Sequence, residues 1–248
     1  MQKCLFSLVF LLMLPLLPLP ALAQAQQNDT SFVSEAVAEA VQLYRKSINI
    51  QSHLYTGAEY HVPQRPYLDG DQYYGSSKYA PAAVKYDGAW YHDVPLLYDV
   101  VQGEIVTVHP ASGYALKLVK EKVEAFVLPG DEVFVSLHPD TAAGAVLQPG
   151  FYGVLYDGQV KVYVLRDKEV QERVTPDGLE GEFKVVDKYF LYKDDAYHEV
   201  SRKRHVLSLL QDEKKPLKKF IRENKLRFRK QREKAIVSVA QQYDKLKN

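Results

Sequence analysis

Hydrophobic and polar positions change their period three times along the chain. From Ser31, the apolar residues Val33, Val37, Ala40, Val41 and Tyr44 recur at helical spacing while Glu35, Glu39 and Gln42 take other faces. This predicts one amphipathic helix over 31–47, capped by Ser31 or Asp29 and closed by Arg45 and Lys46. Its apolar stripe calls for a partner surface. Residues 52–200 read differently, as short β-branched and aromatic runs punctuated by Gly, Pro and Asp roughly every ten positions. Strands are expected near 82–86, 89–100, 104–109, 114–119, 122–128, 132–138, 151–156, 159–166, 183–187, 189–193 and 196–200. No strand leads into a crossover helix, so the fold class is mainly β with flanking helices: an antiparallel β-sandwich or partly open barrel. Beyond Val200 the helical period returns. Val206, Leu209 and Leu210 start one stripe, Leu217, Phe220, Ile221 and Phe228 continue it past Pro216, and Ile236, Val239, Ala240 and Tyr243 form the last. Pro216 lacks a donor and fits a first turn, so the tail divides into two or three helices.

Turn chemistry supports the hairpins. Asp87-Gly88 and Asp157-Gly158 each follow a tyrosine and suit the positive φ angles of a two-residue turn. Asp69-Gly70 is a third candidate and Asp194-Asp195 a fourth. Ile105–Pro110 and Phe134–Pro139 each run an apolar strand into His-Pro, a reused local device rather than a regular repeat.

The N-terminus adds a destination. Lys3, the leucine-rich run from Leu5 to Leu19 and the small-x-small Ala21-Leu22-Ala23 form a secretory signal peptide over 1–23, followed by a polar leader over 24–30. Pro15, Pro18 and Pro20 make that run a poor permanent anchor, and no transmembrane segment is expected in the mature chain. Cys4 is the only cysteine and lies before the apolar run, so the mature protein has no disulfide, thiol nucleophile or thiolate ligand. The implied location is periplasmic or otherwise associated with the cell envelope. The near-zero summed charge hides two opposed segments. Residues 201–248 carry 16 Lys and Arg against 5 Asp and Glu, a net of +11, while 24–200 carry 15 against 26, a net of −11. The predicted organisation is therefore an N-terminal helix plus antiparallel body over 31–200 and a basic amphipathic helical tail over 201–248.

The chemistry-bearing stretch is Lys85-Tyr-Asp-Gly-Ala-Trp-Tyr-His-Asp-Val94, which returns as Leu191-Tyr-Lys-Asp-Asp-Ala-Tyr-His-Glu-Val200. His92, Asp93, His198 and Glu199 offer the imidazole and carboxylate ligands of a metal-assisted hydrolase. Strand alternation opposes this, because adjacent residues point to opposite faces. A two-residue turn at Asp87-Gly88 would put Val84, Tyr86, Ala89, Tyr91 and Asp93 on one face, and Lys85, Trp90, His92 and Val94 on the other. The hairpin around Asp157-Gly158 keeps the turn and drops the histidine, so the repeat speaks first for sheet construction.

Other chemistries lack their signatures. There is no Gly-x-Ser-x-Gly elbow, no phosphate loop and no dinucleotide fingerprint, so no catalytic residue and no cofactor is implied. Asp69-Gly-Asp71 lacks the further oxygen ligands of a calcium loop. The 18 tyrosines and Trp90 fit cross-strand pairing, and also a glycan- or peptide-binding face, for which Tyr67, Tyr73, Tyr74, Tyr79 and Trp90 are the candidates. The basic tail suggests nucleic acid, but export and the missing recognition motif argue against it. That leaves docking on the acidic body, or attachment to an envelope protein or anionic surface through 201–248.

Phe220-Ile-Arg-Glu-Asn-Lys-Leu-Arg-Phe-Arg-Lys230, Ala235-Ile-Val and Gln241-Gln-Tyr-Asp244 resemble the C-terminal segment of uncharacterised exported proteins of Bacteroidetes-type Gram-negative bacteria, and the Tyr-Asp-Gly turns are similar to the body of that group. The resemblance implies an exported protein and brings no activity with it. The reading is an exported, non-enzymatic binding or structural accessory of the cell envelope. The alternatives are the hydrolase and an adaptor that attaches to an anionic envelope surface through its tail.

Overall fold

The structure is a computed structural model that describes residues 35–37, 39–40, 53–62, 65–138 and 146–247. The expected signal peptide and leader lie outside the described residues. So does most of the expected first helix, of which 35–37 and 39–40 are helical. The chain divides into two compact units, Met1–Ser47 and Ile48–Asn248.

The second unit is mainly β and antiparallel, the expected class. Its larger sheet has ten strands: β2 (Ala80–Tyr86), β3 (Ala89–Asp99), β4 (Glu104–Val108), β5 (Ala115–Lys117), β6 (Val123–Leu128), β7 (Glu132–Leu137), β8 (Gly150–Asp157), β9 (Lys161–Leu165), β12 (Lys188–Lys193) and β13 (Ala196–Glu199). Their order is β13-β12-β9-β8-β7-β6-β2-β3-β4-β5, so the sheet keeps two edges and is not a closed barrel. A smaller sheet orders β1 (Leu68–Asp69), β11 (Gly178–Val185) and β10 (Lys168–Thr175).

One residue row explains how a single sheet face carries two cores. Paired residues share a face, and Tyr189, Val164, Gly153, Phe134, Phe126 and Val84 pair successively across six strands. At the β2 end this face buries a cluster in which Tyr98, Phe126, Phe134 and Phe151 meet at ring distances of 4.8–6.1 Å. At the other end it buries Val162, Val164, Tyr189 and Leu191. Gly153 stands where the two meet. A Cβ there would fall 2.9 Å from Val164 and 3.3 Å from Phe134, so a side chain would force apart the neighbours that close the row.

Three helices cover the Val164 end: α1 (Lys203–Leu209), α2 (Lys214–Glu223) and α3 (Arg232–Lys247). Pro216 lies in the first turn of α2, where its missing donor costs nothing. The stripe residues Leu217, Ile221, Ile236, Val239, Ala240 and Tyr243 are all buried, in one cluster with the strand residues. The helices thus belong to the core of the Ile48–Asn248 unit.

Local register departs from expectation at three places. Asp87 and Gly88 have φ of 51° and 77°, and Asp194 and Asp195 of 51° and 59°, so both form the expected two-residue turns. Asp157-Gly158 does not: neither has a positive φ, and Asp157 pairs with Lys161 across a longer loop. In the β2–β3 hairpin, Val84 pairs with Tyr91 but Ala82 with Val94, leaving His92 and Asp93 as a bulge, with Asp93 at φ 56°. The bulge returns Val94 to the core, 4 % exposed, where simple alternation put it on the outer face with Trp90 and His92. Finally, Asp69-Gly70 is not a hairpin turn, since β1 pairs in parallel with β11. The long β10–β11 ribbon has no counterpart near 168–175 in the expected strands; Val170 and Val174 are the apolar residues of β10, too few for a clear alternating signal.

Candidate functional site

The repeated His-acid pairs are not brought together. β3 and β13 are separated in the sheet by β12, β9, β8, β7, β6 and β2. His92 lies in the bulge with its ring stacked on Trp90 at 6.3 Å, and His198 and Glu199 border a shallow cavity with His205, Ser208 and Leu209. Among the described residues, no three His, Cys, Asp or Glu side chains gather as a metal-binding group. His109 and His205 serve the backbone: His109 Nδ1 accepts from the N–H groups of Ala111 and Ser112, both at 3.2 Å, and His205 Nδ1 accepts from the Ser201 N–H at 3.5 Å.

The tyrosine candidates separate into different environments. Tyr67 donates to Glu172 at 2.8 Å and lines a cavity of about 460 Å³ on the small sheet, with Asp69, Arg173, Glu180 and Glu182. Tyr73 belongs to a polar knot in which Tyr60 donates to Asp99 Oδ2 at 2.6 Å and lies 3.4 Å from the Tyr73 hydroxyl. Asp99 is fully buried, and its other oxygen takes the N–H groups of Val101 and Gln102, so it shapes the turn after β3. Burial, and then the Asp99 carboxylate, push the Tyr60 hydroxyl above its ordinary pKa. Tyr74 packs edge-on against Phe134 at 5.4 Å and lines a cavity of about 380 Å³; burial raises its pKa as well. Tyr79 and Trp90 are partly exposed, at 37 % and 39 %.

The tail meets the body in an arrangement that net charge does not foretell. Its carboxylates, not its cations, make the polar contacts with the strands. Arg166, which follows β9 and is largely buried, binds Asp187 at 2.6 Å and Glu233 of α3 at 2.8 Å. Burial disfavours its charge, but the Glu233 and Asp187 hydrogen bonds outweigh this and hold its pKa above the ordinary value. Asp244 of α3, 5 % exposed, accepts from Tyr156 and the Gln159 N–H, both at 2.8 Å, and from the Val160 N–H at 3.4 Å. This carboxylate shapes the loop after Asp157 and explains why the two-residue turn is absent.

The cations face outward. Opposite its buried Leu217 and Ile221, α2 exposes Lys214, Lys215, Lys218, Lys219 and Arg222, and the following turn exposes Lys225, Arg227, Arg229 and Lys230. Among the described residues, only Lys219 of these has a carboxylate within 4 Å, Glu223 at 3.9 Å. Lys247 is paired within the tail, to Asp212 at 2.7 Å. No tail cation forms an ion pair with a strand carboxylate among the described residues. No described helix is long and apolar enough to cross a membrane. The outcome is an exposed basic face on α2 and the α2–α3 turn.

Comparison with protein-family models gives no match, and neither curated proteins nor solved structures yield one.

Proposed function

We propose that residues 1–23 export the chain and that the mature protein is a non-enzymatic binding accessory of the cell envelope, attaching to an anionic surface through the basic face of α2 and the α2–α3 turn. One observation carries the reading: these cations stay exposed and, Lys219 apart, without an ion-pair partner among the described residues, although the helices are part of the core. Had they served to dock the tail on the acidic strands, they would pair with strand carboxylates. Dense Lys and Arg on a fixed surface attract anionic headgroups or acidic polymers over a Debye length of about 8 Å at physiological salt. Phe228 packs against the core cluster, leaving the partly exposed Phe220 as the aromatic residue of α2 near this face, so attachment is chiefly electrostatic and peripheral.

The test is sedimentation of the mature protein with vesicles containing anionic lipid and with neutral vesicles, across a salt series. Salt-reversible binding to the anionic vesicles alone is expected, abolished by the triple reversal Lys214→Glu, Lys218→Glu, Arg222→Glu at unchanged thermal stability. Binding that ignores both salt and reversal, or no binding to anionic vesicles at low salt, overturns the proposal. Deleting 201–248 is not a usable control, because it strips more than half of a core cluster.

A further inference from the structure

The cavity beside Tyr74 has a different character from the basic face. Its volume, about 380 Å³, falls in the small-ligand range of roughly 300–1,000 Å³. Tyr74, Leu96, Tyr98, Leu128 and Pro129 make it chiefly apolar. Two residues of opposite charge, Lys78 and Glu132, border the same space.

The walls are held in place. Tyr74 N–H donates to the Tyr98 carbonyl at 2.9 Å and Val100 N–H to the Gln72 carbonyl at 3.0 Å, tying the 71–79 loop to β3. Lys168 Nζ donates to the Asp71 and Tyr73 carbonyls at 2.7 and 2.6 Å, fixing the start of that loop from the ribbon side. Behind the pocket the Arg166 guanidinium lies over the Tyr74 ring at 5.3 Å, and Phe134 meets the same ring edge-on. Such walls keep their shape without a ligand, so little ordering entropy is lost on binding.

The two charges specify the ligand. Some neighbouring opposite charges on this surface pair, as Lys122 does with Asp87 and Lys161 with Asp157. Lys78 and Glu132 share one cavity, yet among the described residues neither forms an ion pair; the Glu132 carboxylate instead lies beside the Tyr74 hydroxyl. An apolar pocket bordered by a lysine and a carboxylate that lack ion-pair partners among the described residues, the carboxylate meeting the Tyr74 hydroxyl, suits a molecule with an apolar body and the reverse pair of charges.

We propose that this cavity binds a short apolar peptide with free ends, its ammonium at Glu132 and its carboxylate at Lys78. The inference is independent of the basic face, which lies on other elements.

Calorimetric titration of the full mature chain with leucyl-phenylalanine tests it, alongside the N-acetylated and C-amidated forms. Saturable one-site binding is expected. Loss of either charged end should weaken it about tenfold, the scale of a charge-assisted hydrogen bond. Glu132→Gln should weaken the free dipeptide equally and leave the N-acetylated form indifferent, and Lys78→Gln should do the same for the amidated form. Both positions are exposed, so the fold is retained. No saturation up to about 10 mM, or affinity that ignores both blocked ends, overturns the assignment, as does preferential binding of an uncharged sugar.

Discussion

Gly158 lies so close to Asp244 that a Cβ atom there would overlap the carboxylate oxygen Oδ2. The glycine is required by that contact and not by a left-handed turn. A buried carboxylate on the last helix thereby sets the course of a loop between two central strands.

Asp244→Ala should therefore destabilise the protein by about 3 kcal/mol, since it leaves the Tyr156 hydroxyl and the Gln159 and Val160 N–H groups without their acceptor. Tyr156→Phe removes one donor and should cost about 1 kcal/mol. Gly158→Ala should resemble Asp244→Ala, and the Gly158→Ala/Asp244→Ala double variant should be less destabilised than the sum. Urea unfolding of the four variants beside the unsubstituted protein gives the comparison.

Arg166→Met should cost about 3 kcal/mol, because it strands the largely buried Asp187 carboxylate and removes the partner of the more exposed Glu233. Glu233→Gln should cost less, since Asp187 still balances the guanidinium. If both variants unfold at the same urea concentration as the unsubstituted protein, Arg166 does not hold α3 to the strands.

Asp212 predicts a pH response. Its bond to Lys247, and then that from Tyr243, lower its pKa from 3.8 to about 2. The folded-state value lies below the unfolded one, so the stabilisation is complete above about pH 4 and disappears as pH falls towards 2. Asp212→Asn should flatten the acid limb of a stability-against-pH curve in that window. An unchanged limb would show that the contact does not form in solution.

The bulge at Asp93 can be read through its backbone. At φ 56° a β-branched residue is strained, so Asp93→Val should destabilise by about 1 kcal/mol, while Asp93→Gly should be neutral or slightly stabilising. Equal melting temperatures for the two variants would contradict the bulge.

What the sequence revealed follows from the range of each interaction. Asp87-Gly88 and Asp194-Asp195 were legible because a primed turn is decided by the two residues within it. Ile236, Val239, Ala240 and Tyr243 were legible because one helix face repeats locally. Asp157-Gly158 misled because its loop obeys a carboxylate 85 positions beyond Gln159. The face of Val94 was misassigned because a bulge adds residues without altering composition. Arg166 gave no signal at all: a single arginine after an apolar strand becomes a hub only once Asp187, Glu233 and Tyr74 converge on it. At the candidate sites, charge counting showed how basic the tail is and the helical stripes showed which side would be covered. The cavity at Tyr74 needed the loop, β3 and the β6–β7 turn to be assembled.

Because apolar stripes and two carboxylates hold the helices down, the outward lysines and arginines carry no part of the molecule's integrity. On the attachment proposed above, electrolyte would govern residence on a charged support as a dial that leaves the architecture untouched. A wash in concentrated salt should release the protein intact and ready to rebind on dilution.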